Sequence, residues 1–442
     1  MTPPTSSTYP RTGELLSQAW PIIAANAAVP TLGLVDTAVI GHFGSVNELA
    51  ALAMASLIFS FVYWCFGFLR MGTTGFVARA QGAGDETTSM RVVLQSAILA
   101  GAISFCLMIF QNLILLVSVH ALSAPAQVLN PVSEYFHIRI WGAPATLLNY
   151  VATGILIGLG DGRRVMYLQL FLNVANAMLD IILAGVINLG IQGIALGTVL
   201  AEYATLVLAL FVIAGRFFWA EYLRSFRVAH CFVGASELLS QNRDLFIRTL
   251  FLLLGFAFFT RTSAEFGTVT LAANHILLQF ITFAAFFMDG YAHVLESHTG
   301  HAVGRKCPSY FKAVLKKTSL LSFVSALFLA LSLLFFSNTW FTLLTNKVGV
   351  IVHAQDFIYF VALYVLVSVG AYQLDGAFIG AGASKAMRNC SIISTLVLIL
   401  AWFVFFRTYG AKGLWMAFVL YVFIRGFSLY LCLSNLQRRC IE

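Results

Sequence analysis

Long apolar stretches alternate with polar connections along the whole chain. Each apolar stretch is long enough for a helix that crosses a bilayer, which needs ~20 residues. Twelve such stretches are present, six before and six after one longer polar connection. The pattern predicts an all-α polytopic membrane protein with twelve transmembrane helices in two pseudo-symmetric six-helix lobes. The stretches span residues 14–41, 49–77, 90–118, 128–158, 165–188, 193–215, 244–265, 270–298, 312–336, 351–381, 387–406 and 411–434.

The two halves of the chain repeat each other. Gly154-Ile-Leu-Ile-Gly-Leu-Gly160 matches Gly376-Ala-Phe-Ile-Gly-Ala-Gly382 at an offset of 222 residues. Because each half contains an even number of helices, the two copies share one orientation in the membrane, as in other transporters with parallel repeats. The predicted domains are an N-terminal lobe with helices 1–6, a linker loop and a C-terminal lobe with helices 7–12, at residues 1–215, 216–241 and 242–442.

Composition supports a membrane protein and excludes several other classes. The 442-residue chain is 60% hydrophobic and 10% charged, whereas soluble domains carry roughly 25% charged residues. Helix 1 is too long for a signal-peptide core, so we expect it to be retained. The seven cysteines form no Cys-x-x-Cys pair, which predicts neither disulfides nor zinc. Without a phosphate-binding loop or a nucleophile–base pair, we expect no cofactor and no enzyme activity.

Lysine and arginine are distributed unequally over the connections. The termini and the connections after even-numbered helices hold most of the 26 basic residues. By the positive-inside rule both termini and the 216–241 loop are cytoplasmic, and this sorting explains the net charge of +8 without nucleic acid as a partner. Four arginines fall within predicted helices: Arg70, Arg139, Arg248 and Arg425.

Helix 1 contains one acid and one proline within an otherwise apolar stretch. A carboxylate such as that of Asp36 costs at least ~2.5 kcal/mol to insert into a membrane, which makes it a functional-site candidate. Pro30 removes a backbone N–H, and its ring presses against the carbonyl of Asn26, so helix 1 is expected to be bent or bendable before the acid. Thr37, directly after Asp36, is a supporting polar residue.

Helices 5 and 6 carry further polar residues whose helical spacing places them on shared faces. They are Asn173, Asn176 and Asp180 on helix 5, and Thr198 and Glu202 on helix 6. With a rise of ~1.5 Å per residue, Asp36, Asp180 and Thr198 are predicted at similar depths, where they can meet. Their oxygens would suit a proton or a hard cation such as Na⁺. The alternative is a hydrogen-bonded helix contact that only holds the lobe together.

The repeat does not duplicate these residues. In the second half, Asp36 falls opposite Phe259, Asp180 falls near Leu400, and Thr198 falls near Phe418. This asymmetry argues that packing of the helices alone does not require the polar residues.

Helix 8 carries a second polar stripe, formed by Asp289, His293 and Glu296. It can be a buried structural network or a proton or substrate contact, and His293 with Glu296 can also ligate a metal. Asp375 in helix 10 has a structural or a functional role. Because buried charges are expected in pairs, Arg261 or Arg425 is a candidate partner for one of these acids.

Several segments resemble the multidrug and toxic compound extrusion (MATE) family, and its bacterial DinF-like branch in particular. They are Val29-Pro-Thr-Leu-Gly-Leu-Val-Asp-Thr-Ala-Val-Ile-Gly-His42, Leu69-Arg-Met-Gly-Thr-Thr-Gly75, Ala201-Glu-Tyr-Ala204, Asn242-Arg-Asp244 and Leu374-Asp-Gly-Ala-Phe-Ile-Gly380. The resemblance covers essentially the whole chain. It implies a transporter of the bacterial inner membrane that exports lipophilic, often cationic compounds in exchange for H⁺ or Na⁺. It also implies a first-lobe cation site at Asp36, Asn176, Asp180 and Thr198.

Two functional hypotheses follow from these observations. The first is a secondary active multidrug antiporter driven by protons, with Na⁺ as a variant, whose partners are small-molecule drugs or organic cations and the lipid bilayer. The alternative is a flippase for lipid-linked precursors, which would need a cationic cavity and would use the four intramembrane arginines. We expect no obligate protein partner under either hypothesis.

Overall fold

The computed structural model describes residues 9–122, 125–216, 232–345 and 347–439. Within these residues twelve helices are long and apolar enough to cross a membrane, which confirms the predicted fold class. They are α1 (Thr12–Phe43), α2 (Val46–Ala83), α3 (Glu86–Ile109), α4 (Ala126–Gly158), α5 (Gly162–Val186), α6 (Gly190–Ala214), α7 (Ala235–Glu265), α8 (Thr268–Gly304), α9 (Pro308–Phe335), α10 (Ile358–Gly380), α11 (Ser384–Phe406) and α12 (Thr408–Arg438). Most of the predicted linker, residues 217–231, lies outside the described residues.

Side-chain caps define the starts of several helices. At α2, the Ser45 hydroxyl accepts a hydrogen bond from the Glu48 N–H at 3.2 Å, and the Ser45 N–H donates to the Glu48 carboxylate at 2.8 Å. This reciprocal pair satisfies backbone donors that the first turn leaves free. Asp85 caps α3 by accepting from the Thr88 N–H at 2.9 Å, and a hydrogen bond from the Thr88 hydroxyl lowers the pKa of Asp85.

The internal repeat extends to the backbone of the turns. Gly160 and Gly382 follow α4 and α10 with φ of 75° and 67°, and Gly190 and Gly410 both have φ of 54°. These are left-handed conformations that glycine adopts at low cost. The matched glycines therefore occupy matched turns in the two halves.

Backbone contacts divide the chain into two units. The N-terminal unit consists of the described parts of Ala24–Val77 and Asp85–Leu238. The C-terminal unit consists of the described parts of Met1–Ile23, Ala78–Gly84 and Leu239–Glu442, so the start of α1 and the end of α2 belong to it. Within that unit the Arg79 guanidinium donates to the carbonyl of Gly380 at 3.2 Å, which joins α2 to α10. The predicted domain boundaries stay a prediction.

Candidate functional site

Close packing of α5 against α6 positions Asp180. Helix α5 is α-helical up to Asp180 and continues as a π-helix over Ile181–Val186, a distortion that is frequent at functional sites. On α6, a Cβ at Gly193 would lie 2.8 Å from the backbone nitrogen of Ala184, and a Cβ at Gly197 would overlap the Asp180 carboxylate. The two glycines therefore allow the close approach that places this carboxylate against α6.

The structure brings together the four residues that were predicted as the first-lobe site. Asp36, Asn176, Asp180 and Thr198 are buried, and none of them exposes more than 4% of its surface. The Asn176 amide donates to the Thr198 hydroxyl at 3.1 Å, and that hydroxyl donates to the Ile194 carbonyl at 2.9 Å. The carboxyl groups of Asp36 and Asp180 interact electrostatically with each other. One cluster thus joins α1, α5 and α6.

This cluster contains more acceptors than donors. One Asp36 oxygen, both Asp180 oxygens and the Asn176 amide oxygen are buried without a hydrogen-bond partner among the described residues. Unpaired buried acceptors are costly, and two carboxylates in one site repel each other when both are ionised. A proton shared by the carboxyl groups would reduce both costs, and so would a hard cation bound by these oxygens. The arrangement can therefore bind and release a small cation.

Glu202, the remaining acid predicted on α6, forms an ion pair with Arg139. Its carboxylate accepts two hydrogen bonds from Arg139, at 2.8 Å and 2.6 Å, and both side chains are buried. The guanidinium also lies over the rings of Phe59 and Tyr63, 5.4 Å and 5.3 Å from their centroids. A bidentate pair of this kind neutralises both charges. Variable charge in this region therefore rests on Asp36 and Asp180.

Asn173 contacts α1 beside Pro30 and not the carboxylate cluster. Its amide donates to the Ala28 carbonyl at 2.6 Å and to the Thr31 hydroxyl at 3.0 Å. Helix α1 is continuous through the proline, and the Asn173 side chain links α5 to the turn of α1 that contains Pro30. Thr37 is exposed, and its hydroxyl donates to a carbonyl of its own helix at 2.7 Å.

In the C-terminal unit, Asp375 is the acceptor of two arginines. Arg248 of α7 and Arg425 of α12 both donate to the same Asp375 oxygen, and all three residues are buried. Arg261, the other suggested partner, is exposed and forms no ion pair with a residue that the structure describes. Asp375 is thus held as a paired anion, and Arg248 is the partner that the sequence reasoning missed.

The polar stripe of α8 is partly buried. His293 Nδ1 lies 3.4 Å from Glu296 Oε2, and Glu296 is completely buried. Asp289 is half-buried and interacts electrostatically with Tyr372 of α10. In the described parts of the chain no three His, Cys, Asp or Glu side chains are grouped so as to hold a metal ion. Among the residues that the structure describes, the pair His293–Glu296 therefore lacks the further protein ligands that a metal site needs.

Aromatic residues occupy the repeat-related positions of the C-terminal unit. The rings of Phe259 and Phe418, which correspond to Asp36 and Thr198, have centroids 4.4 Å apart. Trp415 packs against Phe259 at 4.8 Å, and all three side chains are buried. Such ring contacts stabilise a core through apolar burial and offer no oxygen ligands for a hard cation. The polar cluster is therefore not duplicated.

Sequence reasoning did not assign Arg139 and Gly197 to this site, although both left a signal. Gly193 and Gly197 have the spacing of two small residues that allows helix backbones to approach closely. An arginine within an apolar helix, such as Arg139, is expected to find a buried acid, and Glu202 lies in another such helix. Which acid pairs with which arginine depends on helix packing that neither helix encodes alone.

Comparison with known proteins gives a family match over both halves. The family model described as MatE matches residues 21–182 and 245–404. DNA damage-inducible protein F of Escherichia coli is 32% identical over 425 residues, covering 93% of this chain and 89% of the relative. A probable multidrug resistance protein NorM of Acinetobacter baylyi is 27% identical over 432 residues, covering 92% of each chain.

A solved structure has the same fold. The Vibrio cholerae MATE transporter VcmN in its bent form matches with a TM-score of 0.82 at 20% sequence identity, over 97% of each chain. At this identity the likeness concerns the fold.

Proposed function

This chain belongs to the multidrug and toxic compound extrusion (MATE) family of multi-pass membrane transporters, and from that premise we propose that it is a proton-coupled antiporter. It exports lipophilic, often cationic compounds from a bacterial cell across the inner membrane. Inward movement of protons through Asp36 and Asp180 supplies the energy. The similarity to a probable multidrug resistance protein supports this choice of substrate class.

One observation carries the proposal of ion coupling: the Asp36–Asp180 cluster holds buried acceptor oxygens that have no donor among the described residues. A carboxyl pair of this kind is most stable with one proton between its members. Na⁺ is the close variant, because carboxylate, amide and hydroxyl oxygens are ligands for a hard cation. The ion-paired Arg139–Glu202 neighbour does not compete for the incoming ion.

Protonation would bias the transporter between two states. It removes a charge from the contact of α1 with α5, and a ligand shifts an equilibrium only through such a difference between states. Asn173 on α5 also binds α1 beside Pro30, so a shift of α5 can reach the proline-weakened part of α1. We infer that proton release and helix bending together open and close the N-terminal lobe.

Reconstitution in proteoliposomes tests the coupling. A pH gradient and a Na⁺ gradient are imposed separately while efflux of a fluorescent organic cation is measured. We expect the pH gradient alone to drive transport, and Asp36→Asn and Asp180→Asn each to abolish it. Asp356→Asn, which changes an exposed acid outside the twelve helices, is the matched control and should retain wild-type transport.

Several results would contradict this proposal. Transport driven only by Na⁺ would favour Na⁺ coupling over proton coupling. Normal transport by both Asp36→Asn and Asp180→Asn would exclude the cluster from coupling. The same vesicles can be loaded with a lipid-linked precursor to test the flippase alternative. That alternative needs free cationic side chains, whereas three of the four intramembrane arginines, Arg139, Arg248 and Arg425, are paired with carboxylates.

A further inference from the structure

The carboxylate of Glu48 connects two turns of the N-terminal unit. Its Oε2 accepts a hydrogen bond from the Ser45 N–H at 2.8 Å, in the turn between α1 and α2. Its Oε1 accepts one from the Ile191 N–H at 3.1 Å, in the first turn of α6. Gly190 permits this second contact, because a Cβ at that position would overlap the Glu48 carboxylate. One side chain thus caps the starts of α2 and α6 together, whereas an ordinary capping residue serves its own helix.

The two turns belong to helices that carry the carboxylate cluster. Asp36 lies seven residues before Phe43, the last residue of α1. Thr198 lies seven residues after Ile191 on α6. At a rise of ~1.5 Å per residue, both cluster residues lie about 10 Å along their helices from the turns that Glu48 joins. Glu48 therefore ties α1 to α6 at equal distances from the two side chains that these helices contribute to the cluster.

The internal repeat does not duplicate this contact. Thr270 corresponds to Glu48 at the offset of 222 residues, and its hydroxyl donates to the Phe266 carbonyl, four residues earlier, at 3.2 Å. Gly410 corresponds to Gly190 and has the same φ of 54°. A Cβ at Gly410 would nevertheless meet no other part of the described structure within 4 Å. Both halves thus keep the left-handed turn, so forming that turn does not require Glu48. Its carboxylate occurs in the half that contains the carboxylate cluster.

We propose that Glu48 is a positioning residue for the carboxylate cluster: it holds α1 against α6 and thereby sets where Asp36 lies relative to Thr198. This inference rests on the ion-coupling function proposed above. Hydrogen bonds from backbone N–H groups to an ionised carboxylate are among the stronger ones in proteins. Without the carboxylate, the first turn of α6 loses its link to the turn between α1 and α2. The end of α1 is then free to move relative to α6, and the spacing of the oxygens that bind the ion is less well defined.

Transport by Glu48→Ala in proteoliposomes tests this role. Efflux of a fluorescent organic cation is measured at increasing concentrations of the ion that drives the wild type, H⁺ or Na⁺. We expect Glu48→Ala to need a several-fold higher ion concentration for half-maximal efflux, because displaced oxygens bind the ion less tightly. The purified variant should bind the organic cation as the wild type does. Glu48→Gln, which keeps one acceptor oxygen, should lie between the two. A merely structural role would lower the yield of folded protein and leave the half-maximal ion concentration unchanged.

Matched variants separate this role from the loss of a helix cap and from backbone strain. Asp85→Ala removes a carboxylate that hydrogen-bonds within the first turn of α3, and it should keep the wild-type ion dependence. Gly190→Ala and Gly410→Ala place the same strain on a left-handed turn, but only Gly190→Ala displaces the Glu48 carboxylate. We expect Gly190→Ala alone to reproduce the effect of Glu48→Ala, and the two substitutions together to cause no further change.

Two results would overturn the proposal: unchanged ion dependence in Glu48→Ala, or equal effects of the two glycine variants. A wild type that responds to neither ion gradient would instead contradict the proposed function, and this proposal with it.

Discussion

At the scale of single residues, the N-terminal unit separates two kinds of buried charge. Glu202 has a bidentate partner in Arg139, whereas Asp36 and Asp180 face each other with acceptor oxygens left over. Each residue of a buried ion pair stays charged, because neutralising one side chain would leave the charge of the other uncompensated. An unpaired carboxyl pair can change its protonation without breaking such a partnership. The same residue types therefore form a fixed ion pair at one position and, in the function proposed above, exchange ions at the next.

The Arg139–Glu202 pair predicts a specific result for stability. Arg139→Gln leaves a buried carboxylate without its partner and should destabilise the protein by about 3–5 kcal/mol. The double variant Arg139→Leu with Glu202→Leu removes both charges and should recover most of that loss. The denaturation midpoint of each purified variant in detergent measures this difference. If the single variant were as stable as the wild type, the pair would have no structural role.

At the scale of helices, α1 lacks one backbone hydrogen bond at Pro30 and receives side-chain hydrogen bonds close to it. Pro30 cannot donate to the preceding turn, and Asn173 of α5 and Thr31 both donate to the neighbouring Ala28 carbonyl. The helix remains continuous there, and one of these additional hydrogen bonds comes from another helix. A shift of α5 relative to α1 would remove that support. The weakened turn and the Asp36–Asp180 cluster thus involve the same two helices.

Pro30→Ala tests whether this weakened turn matters for transport. The variant regains the backbone N–H, which favours a straight α1 in every state, so we expect efflux to fall several-fold with near-normal expression and with substrate binding retained. Pro308→Ala is the matched control, because Pro308 occupies the first turn of α9, where a missing N–H costs little. Efflux by Pro30→Ala at the wild-type rate would show that the proline only fits a packing groove.

At the scale of the whole molecule, the arrangement of charge predicts how the chain lies in the membrane. The connection between α8 and α9 contains Arg305 and Lys306 and is predicted to be cytoplasmic by the positive-inside rule. It also contains Cys307, which is half-buried. A hydrogen bond with the Ser309 hydroxyl, at 3.5 Å, lowers the pKa of the Cys307 thiol. Labelling of the Cys307 thiol can therefore report the side of the membrane on which this connection lies.

Labelling of Cys307 tests the orientation in a variant that lacks the other cysteines. An impermeant maleimide should react with it in inside-out vesicles and not in intact cells. Because its pKa is lowered, the reaction should accelerate at a lower pH than that of an ordinary thiol, since the thiolate is the nucleophile. Ser309→Ala should shift this acceleration to higher pH. Lys347→Cys, in a connection predicted on the opposite side, should label in intact cells, and labelling of Cys307 there would contradict the assignment.

The sequence alone determined the twelve helices, their division into two repeats and the four polar residues at the centre of the candidate site. Hydrophobic length and periodicity are local properties, and a carboxylate such as Asp36 in an apolar helix is conspicuous wherever that helix packs. Only the tertiary structure decided the pairing of charges: Glu202 with Arg139, and Asp375 with Arg248 and Arg425. It also decided that Asn173 binds α1 beside Pro30. The physical reason is that the partner of a buried polar group depends on which helices approach most closely. Small residues such as Gly197 allow that approach, but only where the facing helix fits against them.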